Sequence, residues 1–143
     1  MNLTKFSDYS LRMLIYLAIH PDRPVTIAEV GRAYSVSPHH LVKVAQRLIE
    51  KQVVRSVRGR NGGLLLAKTP EEINIGRIVR MTEPTWNLVE CFNTETNTCP
   101  IESACGLKGP LRRAQKAFLD TLEEHTLADV VPRKPALIRL LNA

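Results

Sequence analysis

The 143-residue sequence predicts a mainly α-helical fold with one small β hairpin. Apolar residues recur at helical spacing in the first fifty residues and again after residue 110. Between these regions, two short β-prone segments flank a glycine-rich stretch at 58–63, which is the pattern of a hairpin. At this length, 44% apolar residues are sufficient for one folded domain.

The first predicted helix covers about Ser7 to His20, with Ser7 as its N-cap. Its apolar positions at helical spacing are Leu11, Leu14, Ile15 and Ala18. Arg12 interrupts this apolar stretch, which is also far shorter than the ~20 residues of a membrane span. We therefore expect no signal peptide, no membrane segment and a cytoplasmic protein.

Two further helices are predicted close together, at 26–34 and 37–52. Thr26 and Glu29 have the spacing of a capping box, and Pro38 suits the first position of the third helix. The predicted buried stripe of the third helix consists of Leu41, Val44, Ala45 and Leu48. Two short helices joined by a tight turn form a helix-turn-helix.

The predicted hairpin, with strands at 53–57 and 64–67, would form the wing of a winged helix-turn-helix. Polar side chains at the start of the third helix would read bases in the major groove, and the wing would contact phosphates or the minor groove. The residues expected to contact DNA are Ser37, His39, His40, Lys43, Arg47, Arg58, Arg60 and Asn61. A nucleotide-binding loop is disfavoured because the sequence lacks both GKS/T and a βαβ pattern.

Positive charge is concentrated in the part of the chain that contains the predicted helix-turn-helix and wing. Residues 1–80 carry 13 Lys and Arg against 6 Asp and Glu, a net charge of +7, whereas residues 81–143 carry 7 against 8, a net charge of −1. A basic half suggests binding to a polyanion. A solvated basic face would be the simplest alternative, but the helix-turn-helix and wing favour DNA.

The second half contains a predicted short helix at 73–83 and a long one at about 110–125. One face of the long helix is formed by Leu111, Ala114, Ala117, Phe118, Thr121 and Leu122. This face would either pack within its own domain or pair with a second copy, and we expect a dimerisation helix. Segments 126–131 and 135–142 are predicted to form small terminal helices.

All three cysteines lie in the segment CFNTETNTCPIESAC, residues 91–105, with seven and five residues between them. A reducing cytosol disfavours structural disulfides, so clustered thiols there suggest metal or redox chemistry. Structural zinc typically uses close C-x2-C pairs, which this sequence lacks. An iron-sulfur cluster normally takes four ligands, so three cysteines would leave one position to another residue. Free thiols remain the alternative.

Several motifs together resemble the winged-helix iron-sulfur regulators that include IscR, RirA and NsrR. They are FSDYSLRMLIYLA at 6–18, VRGRNGGLLLAK at 57–68, INIGRIVRMTEP at 73–84, HTLADV at 125–130 and the three cysteines. The resemblance covers nearly the whole chain. It implies three regions: a DNA-binding region at 1–80, a cluster-binding loop at 81–109, and a dimerisation helix with C-terminal helices at 110–143.

The resemblance also implies a ligand set. Members of this family are dimers with crossed long helices, and the cluster is held by the residues matching Cys91, Cys99 and Cys105. In the nitric-oxide-sensing NsrR type, an aspartate near the N-terminus of the partner subunit completes a 4Fe-4S cluster, and Asp8 stands at the matching place. A 2Fe-2S cluster is the alternative. An acid in the first turn of a helix is also favoured by the helix dipole without any ligand.

The expected function is therefore a homodimeric repressor of palindromic double-stranded DNA whose cluster senses nitric oxide, with cluster modification or loss releasing the operator. The wide cysteine spacing resembles the iron-responsive RirA type, so iron or redox status is the alternative signal. A zinc-stabilised interaction module that binds no DNA is a further alternative. The sequence shows no nucleophile with a partner base and no C-x2-C motif, so we expect no enzyme.

Overall fold

The computed structural model describes residues 2–141. Met1, at the start of the predicted region 1–80, lies outside it, and so do Asn142 and Ala143, at the end of the predicted region 110–143. Within residues 2–141 the elements are α1 (Lys5–Ile19), α2 (Ile27–Tyr34), α3 (Pro38–Glu50), β1 (Val54–Val57), β2 (Gly63–Leu66), α4 (Ile75–Thr82), α5 (Lys108–Glu123), α6 (Leu127–Val130) and α7 (Lys134–Leu141). Single turns of 3-10 helix lie at Pro70–Glu72 and Glu90–Phe92. The predicted mainly α-helical fold with a small β wing is confirmed.

The first helix begins earlier than predicted. Thr4, not Ser7, is the N-cap of α1, and its side chain accepts a hydrogen bond from the backbone N–H of Ser7 at 3.2 Å. Ser7 is fully buried, and its hydroxyl oxygen accepts a hydrogen bond from the Thr82 hydroxyl at 2.8 Å. The predicted cap was therefore wrong because Ser7 is used for a contact between α1 and α4.

The helix-turn-helix agrees closely with the sequence prediction. Thr26 and Glu29 form the expected capping box, with the Thr26 backbone N–H donating to the Glu29 carboxylate at 2.7 Å. Ser35 takes a left-handed conformation, with φ at 54°, between α2 and α3. The predicted buried stripe of α3, formed by Leu41, Val44, Ala45 and Leu48, is buried. The helix ends at Glu50 because Gln52 has φ at 56°, outside the helical region.

The wing is a two-stranded antiparallel sheet. Val54 pairs with Leu66 and Val57 with Gly63, and the connecting turn contains Gly59 with φ at 111°. Only glycine adopts such an angle readily. Val25 extends the sheet by a short bridge, accepting a hydrogen bond from the Leu64 backbone N–H at 2.8 Å. The wing is thus attached to the segment before α2.

The core surrounds α1. Met13, Leu14 and Leu17 are at most 2% exposed, and α1 contacts α2, α3, α4, α6, α7 and β2. Leu127 of α6 and the following Val131 are equally buried, so the C-terminal part of the chain returns to the first helix. No helix in the range 2–141 is long and apolar enough to cross a membrane.

The long helix α5 starts two residues before its predicted position and packs against α4. A Cβ atom on Gly76 would lie 2.7 Å from the backbone nitrogen of Glu123, so the two helices approach closely there. Leu119, which the predicted stripe omitted, is buried at 4% exposure. The stripe itself divides into half-buried Leu111, Phe118 and Leu122 and exposed Ala114, Ala117 and Thr121.

Candidate DNA interface and metal centre

The start of α3 presents the polar side chains expected to contact bases. Ser37, His39, His40 and Lys43 are all exposed. Ser37 precedes the helix without a side-chain capping bond, so capping does not occupy its hydroxyl. Arg47 is different, because its guanidinium lies 3.6 Å from the Glu50 carboxylate and 3.5 Å from the Met81 carbonyl oxygen.

Sequence reasoning missed two residues on the same outward side of α3. Val42 is 40% exposed, and Gln46 one turn later is also exposed. They follow His39 at three and seven positions, so helical spacing places them on one face. The sequence could have predicted the position of both residues, because the buried stripe of α3 already determines which face of the helix points outward.

The wing carries unpaired positive charge. Arg58, Arg60 and Asn61 are exposed, and neither arginine takes part in an ion pair within the described part of the chain. Arg55 on β1 is also exposed and was not predicted. Unpaired arginines on a hairpin can contact phosphates without first breaking an internal interaction.

Asp8 lies in the first turn of α1, and its carboxylate is held by Arg12. Both carboxylate oxygens are engaged, one by Nε and the other by Nη2 of the arginine, each at 2.9 Å. The side chains of the pair are each 42% exposed. The same guanidinium carbon lies 5.7 Å from the centroid of the Tyr34 ring, at the end of α2. Burial raises the pKa of Tyr34 to about 12, so this ring is a neutral phenol at physiological pH.

A second contact joins α1 directly to the start of α3. The rings of Tyr9 and His40 lie 6.3 Å apart between centroids, with an interplanar angle of 52°. Asp8 and Tyr9 are neighbours in sequence, so the residue next to the proposed metal ligand contacts α3, the helix expected to read bases.

The three cysteines surround one cavity. Cys91, Cys99 and Cys105 are half-buried free thiols, and all three line a space of about 210 Å³. Its other walls are Val89, Glu90, Ile101, Leu107, Lys108 and Leu111. Over residues 2–141, no three His, Cys, Asp or Glu side chains converge closely enough to hold a single metal ion. The three thiols instead line a mainly apolar cavity. Asp8 does not line this cavity in its own protomer.

Polar contacts hold the cysteine loop in place. The Glu90 carboxylate accepts hydrogen bonds from the Thr98 backbone N–H at 2.8 Å and from its hydroxyl at 2.6 Å. These bonds lower the pKa of Glu90 below its ordinary value. They connect the residue before Cys91 to the residue before Cys99. The longer of the two segments between cysteines is thus held closed by these bonds.

A second group of charges joins the loop to α5. Lys108 forms an ion pair with Glu102, and the hydrogen bond and charge of Lys108 lower the pKa of Glu102. One turn further along α5, the Arg112 guanidinium lies 5.5 Å from the centroid of the Phe92 ring. The start of α5 therefore places two cations beside the cysteine loop.

Comparisons with known proteins agree with this fold. Residues 3–133 match the family Rrf2, described as an iron-dependent transcriptional regulator. The HTH-type transcriptional regulator NsrR of Halalkalibacterium halodurans is 47% identical over 143 residues, covering 99% of this chain and 98% of that protein. A crystal structure of a putative transcriptional regulator from Listeria innocua, 28% identical, matches 93% of this chain and 88% of its own with a TM-score of 0.77.

A solved structure of IscR from T. potens is 23% identical and covers 92% of this chain and 87% of its own, with a TM-score of 0.75. At this identity the likeness concerns the fold alone, and it confirms the winged-helix prediction. The family consists of transcriptional regulators, so the chain is a DNA-binding regulator and not an enzyme. It belongs to the Rrf2 family of iron-dependent transcriptional regulators and is of the NsrR type within it.

Proposed function

We propose that this protein is a homodimeric repressor that binds palindromic operator DNA and releases it when an iron-sulfur cluster is modified or lost. The observation that carries the proposal is the single cavity lined by Cys91, Cys99 and Cys105. Thiolates are the usual protein ligands of iron-sulfur clusters. Nitric oxide is the proposed signal, because Asp8 and the HTLADV segment resemble the nitric-oxide-sensing members of the family.

The donor set suits a 4Fe-4S cluster with one ligand from the partner subunit. Such a cluster normally takes four ligands, and the cavity offers three thiols. Asp8 is exposed enough to reach another protomer and does not line its own cavity. A carboxylate is a harder ligand than a thiolate and exchanges more readily. When bound, the cluster supplies iron at which nitric oxide can react. A 2Fe-2S cluster is the alternative cofactor.

The contacts of Asp8 suggest how the site is coupled to DNA. Arg12 holds both carboxylate oxygens of Asp8, and iron ligation through one oxygen would weaken that pair because it draws electron density from the same carboxylate. Arg12 also lies over the Tyr34 ring beside the turn of the helix-turn-helix. A change at Asp8 would therefore alter the contact with α2 through Arg12 and the contact with α3 through Tyr9 and His40.

The proposed dimer uses the outward face of α5. Ala114, Ala117 and Thr121 are exposed on this face, and their small side chains permit close approach of a second helix. In a symmetric dimer the two copies of α3 would read half-sites about 34 Å apart. The three proposed regions, 1–80, 81–109 and 110–143, then correspond to DNA binding, cluster binding and dimerisation.

Anaerobic gel-shift titration tests the switch. Cluster-loaded protein should bind its operator tightly, and a few equivalents of nitric oxide should weaken binding by about 5- to 150-fold, the usual range of allosteric coupling. Mild iron chelation forms a parallel arm. If nitric oxide leaves the affinity unchanged and chelation releases the DNA, the protein senses iron. That second candidate is favoured by the wide cysteine spacing and by the iron-dependent description of the family.

The visible spectrum separates the cluster proposal from a zinc-stabilised module. Anaerobically purified protein with an iron-sulfur cluster absorbs broadly in the visible range, whereas a zinc-thiolate site is colourless. A colourless protein that contains stoichiometric zinc, and that gains no visible absorption on anaerobic addition of iron and sulfide, would contradict the proposal.

A further inference from the structure

Lys108 is the cation in the wall of the cysteine cavity. It is the first residue of α5, and it lines the cavity together with all three thiols. Its side chain is only 19% exposed, which is low for a lysine. A shielded ammonium group requires an anionic partner, and Glu102 supplies one in the cysteine loop.

The surroundings of Lys108 leave this charge only partly neutralised. Glu102 is 34% exposed, so its own charge is partly screened by water. Arg112 adds a second cation close enough to act on Glu102. The first turn of α5 carries no acidic residue and has no side-chain cap, so its dipole adds positive potential at the same end.

A cluster held by three thiolates and a carboxylate would carry a net negative charge in this cavity. Neighbouring charges and hydrogen bonds set the reduction potential of an iron-sulfur cluster. We propose that Lys108 compensates the negative charge of the cluster site, and that Glu102 sets how much of that compensation the cluster receives. This inference rests on the proposed cluster-binding function.

The two partners should therefore have opposite effects on the reduction potential. Reduction adds an electron, so removing the positive charge in Lys108→Gln should move the potential to more negative values. Removing the negative charge in Glu102→Gln should move it to more positive values and leave Lys108 free to face the thiols. Lys108→Arg retains the charge and should stay close to the wild type.

The experiment uses the full-length protein, reconstituted anaerobically with iron and sulfide. Spectroelectrochemical titration gives the reduction potential, and loss of visible absorption in the presence of an iron chelator gives the rate of cluster release. Lys108→Gln should release its cluster roughly fivefold faster or more, since a nearby cation also favours the thiolate form. The matched controls are Lys116→Gln and Asp120→Asn, an ion pair two turns further along the same helix. Both should leave the two measurements unchanged.

The outcomes separate charge compensation from simple anchoring of the loop. If the ion pair only holds the loop on α5, Lys108→Gln and Glu102→Gln should accelerate release equally and shift the potential in the same direction or not at all. Either result would overturn the inference while the wild-type cluster remains intact. A wild-type protein that takes up no cluster would instead overturn the proposed function, and this inference with it.

Discussion

At the residue scale, the Arg12 ion pair and the proposed iron ligation would use the same Asp8 carboxylate. In the protomer each of its carboxylate oxygens accepts from Arg12, whereas the proposed dimer requires the same carboxylate to reach the partner subunit's cluster. The cysteines have no such competition, because they are free thiols facing a common cavity. Substitution should therefore affect the two ligand types to different degrees.

We predict that Cys91→Ala, Cys99→Ala and Cys105→Ala each prevent formation of a stable cluster, because each removes a thiolate donor. Asp8→Ala should be milder, since water can take the exchangeable position. It should allow assembly but alter the visible spectrum and increase lability. Iron and sulfide content and anaerobic spectra measure both effects, with the exposed Asp22→Ala as the control. A wild-type spectrum for Asp8→Ala would show that the fourth ligand lies elsewhere.

The DNA-contacting residues should also separate into two classes. Arg58→Ala or Arg60→Ala should weaken binding to all sequences and reduce the slope of log affinity against log salt by about 1, because each removes a phosphate or minor-groove contact. His40→Ala should instead relax base preference at particular positions. Binding titrations at several salt concentrations measure this, with the exposed Arg139→Ala on α7 as the control. Unchanged affinity of the wing variants would remove the wing from the interface.

At the element scale, the close contact between α4 and α5 depends on glycine at position 76, which has no side chain. Gly76 faces the backbone of Glu123, and the Asn74 side-chain amide donates to the Glu123 carbonyl oxygen at 2.6 Å. The Thr82 hydroxyl joins the other end of α4 to α1. The helix that precedes the cysteine loop is thus fixed between α1 and the proposed dimerisation helix.

We predict that Gly76→Ala lowers the free energy of unfolding by about 1–3 kcal/mol, because the added methyl group must push the helices apart. Gly109→Ala is the matched control, since its Cβ would approach nothing nearer than the Arg113 guanidinium at 3.6 Å. That change should be neutral or slightly stabilising. Urea unfolding of the apo protein measures both. Equal stabilities would mean that α4 and α5 are packed less closely than the structure shows.

At the scale of the whole molecule, α5 takes part both in the packing of the protomer and in the proposed dimer. One side of the helix buries Leu119, while Ala117 remains exposed on another side. The cysteine loop joins the end of α4 to the start of α5, so the proposed sensor lies between the DNA-binding region and the proposed dimer contact. In the proposed dimer, cluster state and dimer geometry would then act on each other.

We predict that Ala117→Glu shifts the protein towards monomers, because it places a charge in the proposed contact between two copies of α5. Operator affinity should fall with it, since a monomer reads only one half-site. Sedimentation velocity measures the mass, and Lys116→Glu, on the polar side of α5, is the control. A dimer that persists in Ala117→Glu would assign the interface to a different face.

Local signals in the sequence were sufficient for much of the molecule. The Thr26 capping box, the Ser37-Pro38 start of α3 and the glycine turn of the wing were all predicted, because each depends on residues only a few positions apart. The cysteines form a group because they lie within fifteen consecutive residues. The helix-turn-helix, the wing and the grouping of the three cysteines were therefore determined by the sequence itself.

Other features were decided by contacts between residues far apart in the chain. Thr4 and Ser7 could each cap a helix, and the choice was made by the bond between Ser7 and Thr82, 75 positions away. The side of α5 that is buried depends on α4, and the place of Lys108 among the thiols depends on how the loop folds over the helix. Helical periodicity fixes which residues share a face, but only packing decides which neighbour that face meets.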